Sequence, residues 1–242
     1  MNKKIISLIR IVIICCFSAG VAIAQPNTLT AKEKQEGWQL LFNGKDLKGW
    51  HSYLENKPGK SWQVQDGVIA LNKNDKSVFE DYADLTTDTE FENFHLKLQW
   101  KIDTCANSGV MFYVHESPEY KNAWETGPEM QIEDLICSPD HDHIMNRAGT
   151  LYDLFAVDSE YVSAANTWYE YEIRANQGHL ELFENGHKVV DTYMWNDHWK
   201  ELIANCKFKD MPNFGTFHKG RISIQGTENG KLWLRNIKIK KL

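Results

Sequence analysis

Apolar and polar residues alternate with a period of two through most of this chain, which marks it as strand-built. Phe94, Leu96, Leu98, Trp100 and Ile102 alternate with His95, Lys97, Gln99 and Lys101, the pattern of a strand with one face in water. Trp62–Gln65 and Val68–Leu71 flank Asp66-Gly67, and Leu180–Phe183 and Lys188–Val190 are joined through Asn185-Gly186. Both dipeptides tolerate the positive φ of a two-residue hairpin turn. Arg221–Gln225 and Leu232–Ile239 supply two further strands. One segment departs from this period: Trp195, Trp199, Leu202, Ile203 and Cys206 fall at helical spacing, with Asn196 or Asp197 placed to cap the first turn. Many short strands with turn signals between them predict an all-β, two-sheet antiparallel sandwich with one short helix near 196–206.

The most informative stretch runs from Asn107 to Asp134. In Asn107–His115 the even positions Val110, Phe112 and Val114 form an apolar side and leave Tyr113 and His115 on the other. In Glu129–Glu133, Met130 and Ile132 point inward, so Glu129, Gln131 and Glu133 share the outward face. If the two strands are neighbours, an aromatic ring, an imidazole, an amide and carboxylates converge on one surface, a set of groups suited to holding a sugar.

Composition and the amino terminus narrow the setting. Lys3, Lys4 and Arg10 precede an apolar run from Ile11 to Phe17 and small residues ending at Ala22-Ile23-Ala24, the form of a cleavable export signal over 1–24. Cys15 and Cys16 lack the small preceding residue of a lipid-anchored cysteine, so a periplasmic or secreted protein without a membrane span is expected. A polar leader (25–36) and a single domain (37–242) follow. The chain carries 27 basic and 33 acidic residues. Without the first 24 residues the net charge is near −9, a poor match for a nucleic acid backbone. Cys105, Cys137 and Cys206 allow three pairings or none, and three separately buried thiols are the default for so frequently buried a residue type.

The motifs resemble those of a known family. Gly37–Trp50, Asn107–Val110, Gly127–Gln131 with Asp134, Gly149–Tyr152 and Arg235–Ile239 stand in the order found in the bacterial 3-keto-disaccharide hydrolase family. That resemblance implies a concanavalin A-like jelly roll and an oligosaccharide or glycoside substrate oxidised at the third sugar carbon. Many relatives carry an Asp-His pair after the glutamine that corresponds to Gln225. Here Gly226-Thr227-Glu228 follows, so the roles of that pair do not transfer.

A ketone at the third carbon acidifies the proton on the second, and elimination then asks for a base, a donor for the enolate oxygen and an acid for the departing oxygen, while direct hydrolysis would use a pair of carboxylates; the sequence leaves both routes open. Glu129 is the first choice for base, with His115, Tyr152 and Asp134 as further catalytic candidates. Asp134 has the opposite parity to Glu129 and reaches the site only from a strand end or bulge; otherwise it caps a loop. Gln131, Asn107, Tyr113, Glu125, Trp124, Arg147, His218, Gln225 and Trp50 are the candidates for substrate binding. His51 and Tyr53 are further loop candidates, and each aromatic is either a stacking platform or core. Asp140-His141-Asp142-His143 has metal-ligand residue types but reads as a solvated loop after Pro139. A divalent metal is chemically reasonable and no spacing fixes its ligands. Two alternatives to an enzyme are a non-catalytic carbohydrate-binding module and a structural interaction domain, the latter expected to show a broad apolar patch.

Overall fold

From Phe94 to Ile102 side chains alternate between buried and half-exposed without interruption, as the period of the sequence requires. The structure, a computed structural model, describes residues 25–72, 84–138, 141–157, 161–162, 164–226 and 230–242. The export signal expected over 1–24 lies outside them, as does Asp140. In chain order the elements are α1 (Ala31–Gln35), β1 (Gln39–Leu40), β2 (Trp50–Ser52), β3 (Trp62–Gln65), β4 (Val68–Asn72), β5 (Leu85–Thr87), β6 (Phe94–Ile102), β7 (Asn107–Val114), β8 (Glu129–Glu133), β9 (Tyr169–Asn176), β10 (His179–Glu184), β11 (His187–Tyr193), α2 (Asp197–Asn205), β12 (Arg221–Ile224) and β13 (Lys231–Lys241).

These strands form two antiparallel sheets packed as a sandwich. The larger runs β11-β10-β9-β6-β13-β4-β3, with β1 also on β13, and the smaller runs β2-β5-β12-β7-β8. Asp66 and Gly67 (φ 49° and 77°) and Asn185 and Gly186 (φ 49° and 79°) turn the two hairpins that their sequences announce. Inward side chains of the two sheets, Leu98, Trp100 and Tyr171 against Val110, Phe112 and Met130, fill the space between them. α2 starts at the expected place, where the Asn196 side chain accepts a hydrogen bond from the Trp199 N–H at 2.8 Å. Among the described residues no helix is long and apolar enough to cross a membrane.

Four features go beyond the sequence expectations or depart from them. The leader is ordered: Thr30 and Glu33 close a capping box on α1, and Asn27 exchanges backbone-to-side-chain bonds with Asn236 at 2.6 and 2.8 Å. β9, which no turn dipeptide announces, alternates Tyr169, Tyr171, Ile173 and Ala175 into the core. Cys105 and Cys137 are joined in a disulfide, so among the described residues only Cys206 is a free buried thiol. The backbone between Ala106 and Asp134 brings the two sulfurs together, a long-range proximity that burial preference does not encode.

The fourth difference is a bulge in β7. On β12, Arg221 pairs with Val114 and Ser223 with Met111, so one extra residue lies on β7, and Tyr113 takes a φ of 55°. The extra residue turns Tyr113 into the core, against Phe94, Phe112 and Trp195, and its hydroxyl donates to the Glu92 carbonyl at 2.5 Å. Val114 turns outward with Met111, Tyr53 and Ala123, a small second cluster on the opposite face of the sheet. The apolar side read as Val110, Phe112 and Val114 therefore breaks at its last member. Gly220 passes so close to the bulge that a Cβ there would stand 2.3 Å from the Tyr113 carbonyl carbon.

Candidate functional site

β7 and β8 are neighbours, and their register pairs Asn107 with Glu133, Gly109 with Gln131 and Met111 with Glu129. Val110 and Met130 point into the core, so the paired odd-numbered residues all face away from it. The rows extend both ways across the smaller sheet. The Gln225 N–H donates to the Gly109 carbonyl, and Ser223 sits beside Met111 and Thr86. On the far side of β8, the Tyr152 N–H donates to the Glu129 carbonyl and the Gln131 N–H to the Thr150 carbonyl. One row thus reads Gln225, Gly109, Gln131, Thr150, and the next reads Thr86, Ser223, Met111, Glu129, Tyr152.

Glu129 and Gln131 are 6% and 1% exposed. The Glu129 carboxylate leans across β7 into the gap above Gly109, where a Cβ would fall 1.7 Å from Oε1. Glycine in the Asn-Ser-Gly motif is therefore the condition for that carboxylate's position. The Gln131 amide is buried with neither Oε1 nor Nε2 hydrogen-bonded among the described residues, and the neighbouring Thr150 hydroxyl is in the same state. Buried polar atoms are nearly always satisfied, so a primary amide and a hydroxyl held this way suit polar groups of a ligand. The Gln131 backbone is tied to the larger sheet, since the Tyr171 hydroxyl donates to its carbonyl at 2.6 Å. Tyr152 lies beside Glu129, its hydroxyl accepting from the Asn146 Nδ2 at 3.2 Å and its ring 3.9 Å from the Lys207 ammonium.

Asp84, not singled out from sequence, belongs to this face. It follows the β5 direction next to Gln225, and its Oδ1 accepts the Gly226 N–H at 2.9 Å. Burial pushes its pKa up to about 6, the Gly226 hydrogen bond opposing the rise. Two strand spacings separate Asp84 from Gly109, about 10 Å, the span of a disaccharide. An acid just before a three-residue strand carries no motif, so only the sheet register reveals it.

Other candidates are placed elsewhere. Asp134 closes the disulfide loop, its Oδ2 accepting the Cys105 N–H at 2.8 Å, as the loop-capping alternative has it. Glu133 Oε2 accepts the Ser138 hydroxyl. Tyr113 is in the core, and Trp50 is buried with its indole N–H on the Leu41 carbonyl, so neither offers a platform to ligand. His115 stacks on Phe217 at 4.2 Å, about 13 Å along β7 from Met111, and the exposed His218 stacks on Trp195 at 3.7 Å. Both imidazoles therefore lie on the rim. Glu125 accepts the Asn122 N–H in a one-turn helix at 123–125, and Trp124 roofs the Tyr53–Met111 cluster. Arg147 is half-buried in the turn that leads to Thr150.

At the other end of the same face His51 bridges Asp88 (2.7 Å) and Glu116 (2.9 Å), and Arg221 Nε lies 3.0 Å from Glu116. These residues line an open cleft of about 380 Å³. Of the ligand-type clusters among the described residues, Cys105, Asp134 and Cys137 contain the disulfide. His179, Glu181 and Asp191 surround the Lys188 ammonium, which bonds both carboxylates. His141 bonds the Ser138 carbonyl and Asp142, and His143 is exposed. Among the described residues none of the three presents an open metal-ligand set.

Comparison with known proteins bears on the family and the fold. A 3-keto-disaccharide hydrolase of Bacteroides thetaiotaomicron is 24% identical over 93% of this chain and 86% of its own length. A crystal structure from Parabacteroides distasonis, provisionally described as a glycosyl hydrolase, is 31% identical over 90% of this chain and all of that one, with a TM-score of 0.82. A Bacillus subtilis protein with a galectin-like fold, 11% identical over 90% of this chain and 94% of its own, superposes with a TM-score of 0.50 and shares the sandwich alone. The model of the 3-keto-alpha-glucoside-1,2-lyase-like domain matches residues 37–240, and the chain belongs to that family.

Proposed function

We propose that this protein cleaves the glycosidic bond of 3-keto-glycosides or 3-keto-disaccharides by elimination, followed by hydration of the unsaturated product. Glu129 takes the proton from the second carbon, and the electron pair moves onto the ketone oxygen as an enolate. Collapse of the enolate forms a double bond between the first and second carbons and expels the glycosidic oxygen, which takes up a proton. Addition of water across that double bond completes a net hydrolysis. The family description as a lyase and the relative's name as a hydrolase then describe two stages of one route.

The carrying observation is the Glu129 carboxylate seated over Gly109, between half-exposed Gln225 and buried Gln131, with Glu129 itself buried. Shielding a base from water while leaving it a short reach is what proton abstraction from carbon needs. In this reading Gln131 and Thr150 donate to the enolate oxygen, and Tyr152 or Asp84 protonates the leaving sugar. Export fits the Cys105–Cys137 disulfide, since such bonds persist in oxidising compartments.

Incubating the purified protein with a 3-keto-glucoside and the unoxidised glucoside, with and without chelator, tests the reading. Cleavage of the keto compound alone, abolished in Glu129→Gln, is the expected result. Cleavage of neither compound rejects the enzyme, and undiminished turnover by the variant removes Glu129 from its role. Loss on chelation adds a metal to the site.

A further inference from the structure

The outward face of the larger sheet collects positive charge on a chain whose net charge is −6. On β6 and β13 its outward basic residues are His95, Lys97 and Lys101 and, across a bulge at Asn236, Lys231, Arg235, Lys238 and Lys240, with Gln99 and Trp233 between them. Three indoles lie among these cations. At one end the Lys101 ammonium stands 4.3 Å from the Trp233 ring and 5.4 Å from Trp168, and the Arg235 guanidinium lies 4.0 Å from Trp168. At the other, Lys97, Lys238 and Lys240 surround Trp38 at 5.7–5.9 Å beside a cleft of about 400 Å³.

The acids on this face are mostly consumed. Glu172 serves His95 and Lys97, Glu181 serves Arg174 and Lys188, Asp191 serves His179 and Lys188, Glu33 serves Lys238 and Glu36 serves Lys32, which leaves Glu170. Lys101, Lys231, Arg235 and Lys240 have no ion-pair partner among the described residues. A half-buried guanidinium without a carboxylate is costly to keep charged, and burial accordingly lowers the Arg235 pKa. From Trp233 to Lys240 the strand covers roughly 20 Å, the length of about four linked sugars.

We propose that this face binds a polyanionic glycan, its rings against Trp168 and Trp233 and its carboxylate or sulfate groups on Lys101, Arg235 and Lys240. Aromatic faces supply the apolar contact a pyranose ring offers, and the unpaired cations supply charge complementarity that a neutral chain would not use. The surface lies on the sheet opposite to Glu129, so it stands or falls independently of the proposed reaction.

The test is affinity electrophoresis of the full protein through gels containing polygalacturonate, heparin or a neutral glucan, alongside Lys101→Gln/Lys240→Gln and Trp168→Ala. Retardation by polygalacturonate alone assigns carboxylates, and by heparin alone assigns sulfates; both support the site. Wild type should be retarded by at least one polyanion, less so as salt rises from about 50 to about 200 mM. The double lysine variant should lose about fivefold or more in affinity with its melting temperature unchanged. Equal retardation by the neutral glucan, no retardation by either polyanion, or undiminished binding by the lysine variant overturns the proposal. Trp168→Ala is read only if it melts as wild type does, and full binding by such a folded variant removes the stacking component.

Discussion

The Glu129 carboxylate occupies the volume that any side chain on Gly109 would need, with Oε1 1.7 Å from the position of a Cβ there. Gly109→Ala therefore has to displace the carboxylate or separate β7 from β8. The expected outcome is a turnover loss of about a hundredfold or more, similar to Glu129→Gln, with an overpacking cost of about 1–3 kcal/mol. Steady-state kinetics on a 3-keto-glucoside with thermal melts checks it. Wild-type turnover in Gly109→Ala would show that the carboxylate need not sit there.

Asp84 gives a pH signature. Its folded pKa of about 6 stands above the ordinary 3.8, so the folded state holds the proton more tightly than the unfolded chain does. That stabilisation is full below about 3.8 and is lost as pH rises through 6. Asp84→Asn, which still accepts the Gly226 N–H, should raise the melting temperature relative to wild type at pH ~8 and change it little at pH ~4. It should also remove a limb near pH 6 from the kcat/KM profile if this carboxyl delivers the proton to the leaving sugar. Equal shifts at both pH values would contradict the linkage.

The Cys105–Cys137 bridge closes a loop with a sequence separation of 32, between the start of β7 and the end of β8. Removing it in Cys105→Ser/Cys137→Ser should cost about 3–4 kcal/mol, a melting-temperature drop of roughly 6–16 °C for a chain of this size. Calorimetry with and without reductant measures this. A reduced wild type melting with the oxidised form would show that the bridge contributes nothing.

Tyr113→Phe separates a core role from a site role. The variant loses the hydroxyl bond to the Glu92 carbonyl, a cost of about 1 kcal/mol, and should keep wild-type kcat and KM. A kinetic defect larger than that destabilisation would place the phenol back in the reaction.

Strand alternation made the sandwich legible, because β6, both glycine-turned hairpins and the β7–β8 pair carry their inward faces in plain period-two form. The same rule placed Glu129, Gln131 and Glu133 on one face. It failed at Tyr113, since a bulge changes parity without changing composition, and the residue that takes the positive φ is an ordinary tyrosine. Asp84 escaped for another reason: it joins Gln225 through strand order, and pairing between segments about 140 residues apart leaves no local mark. The Cys105–Cys137 pairing was hidden in the same way.

The brief ladder between β8 and residues 149–152 has a consequence for solubility. β8 is the outermost named strand of its sheet, and bare amides and carbonyls there would offer a template to any extended chain. Bonds from Gly149 and Tyr152 to the carbonyls of Gln131 and Glu129 and from the Gln131 N–H to Thr150 occupy the middle of that edge, so the strand that bears Glu129 is shielded from intermolecular strand addition.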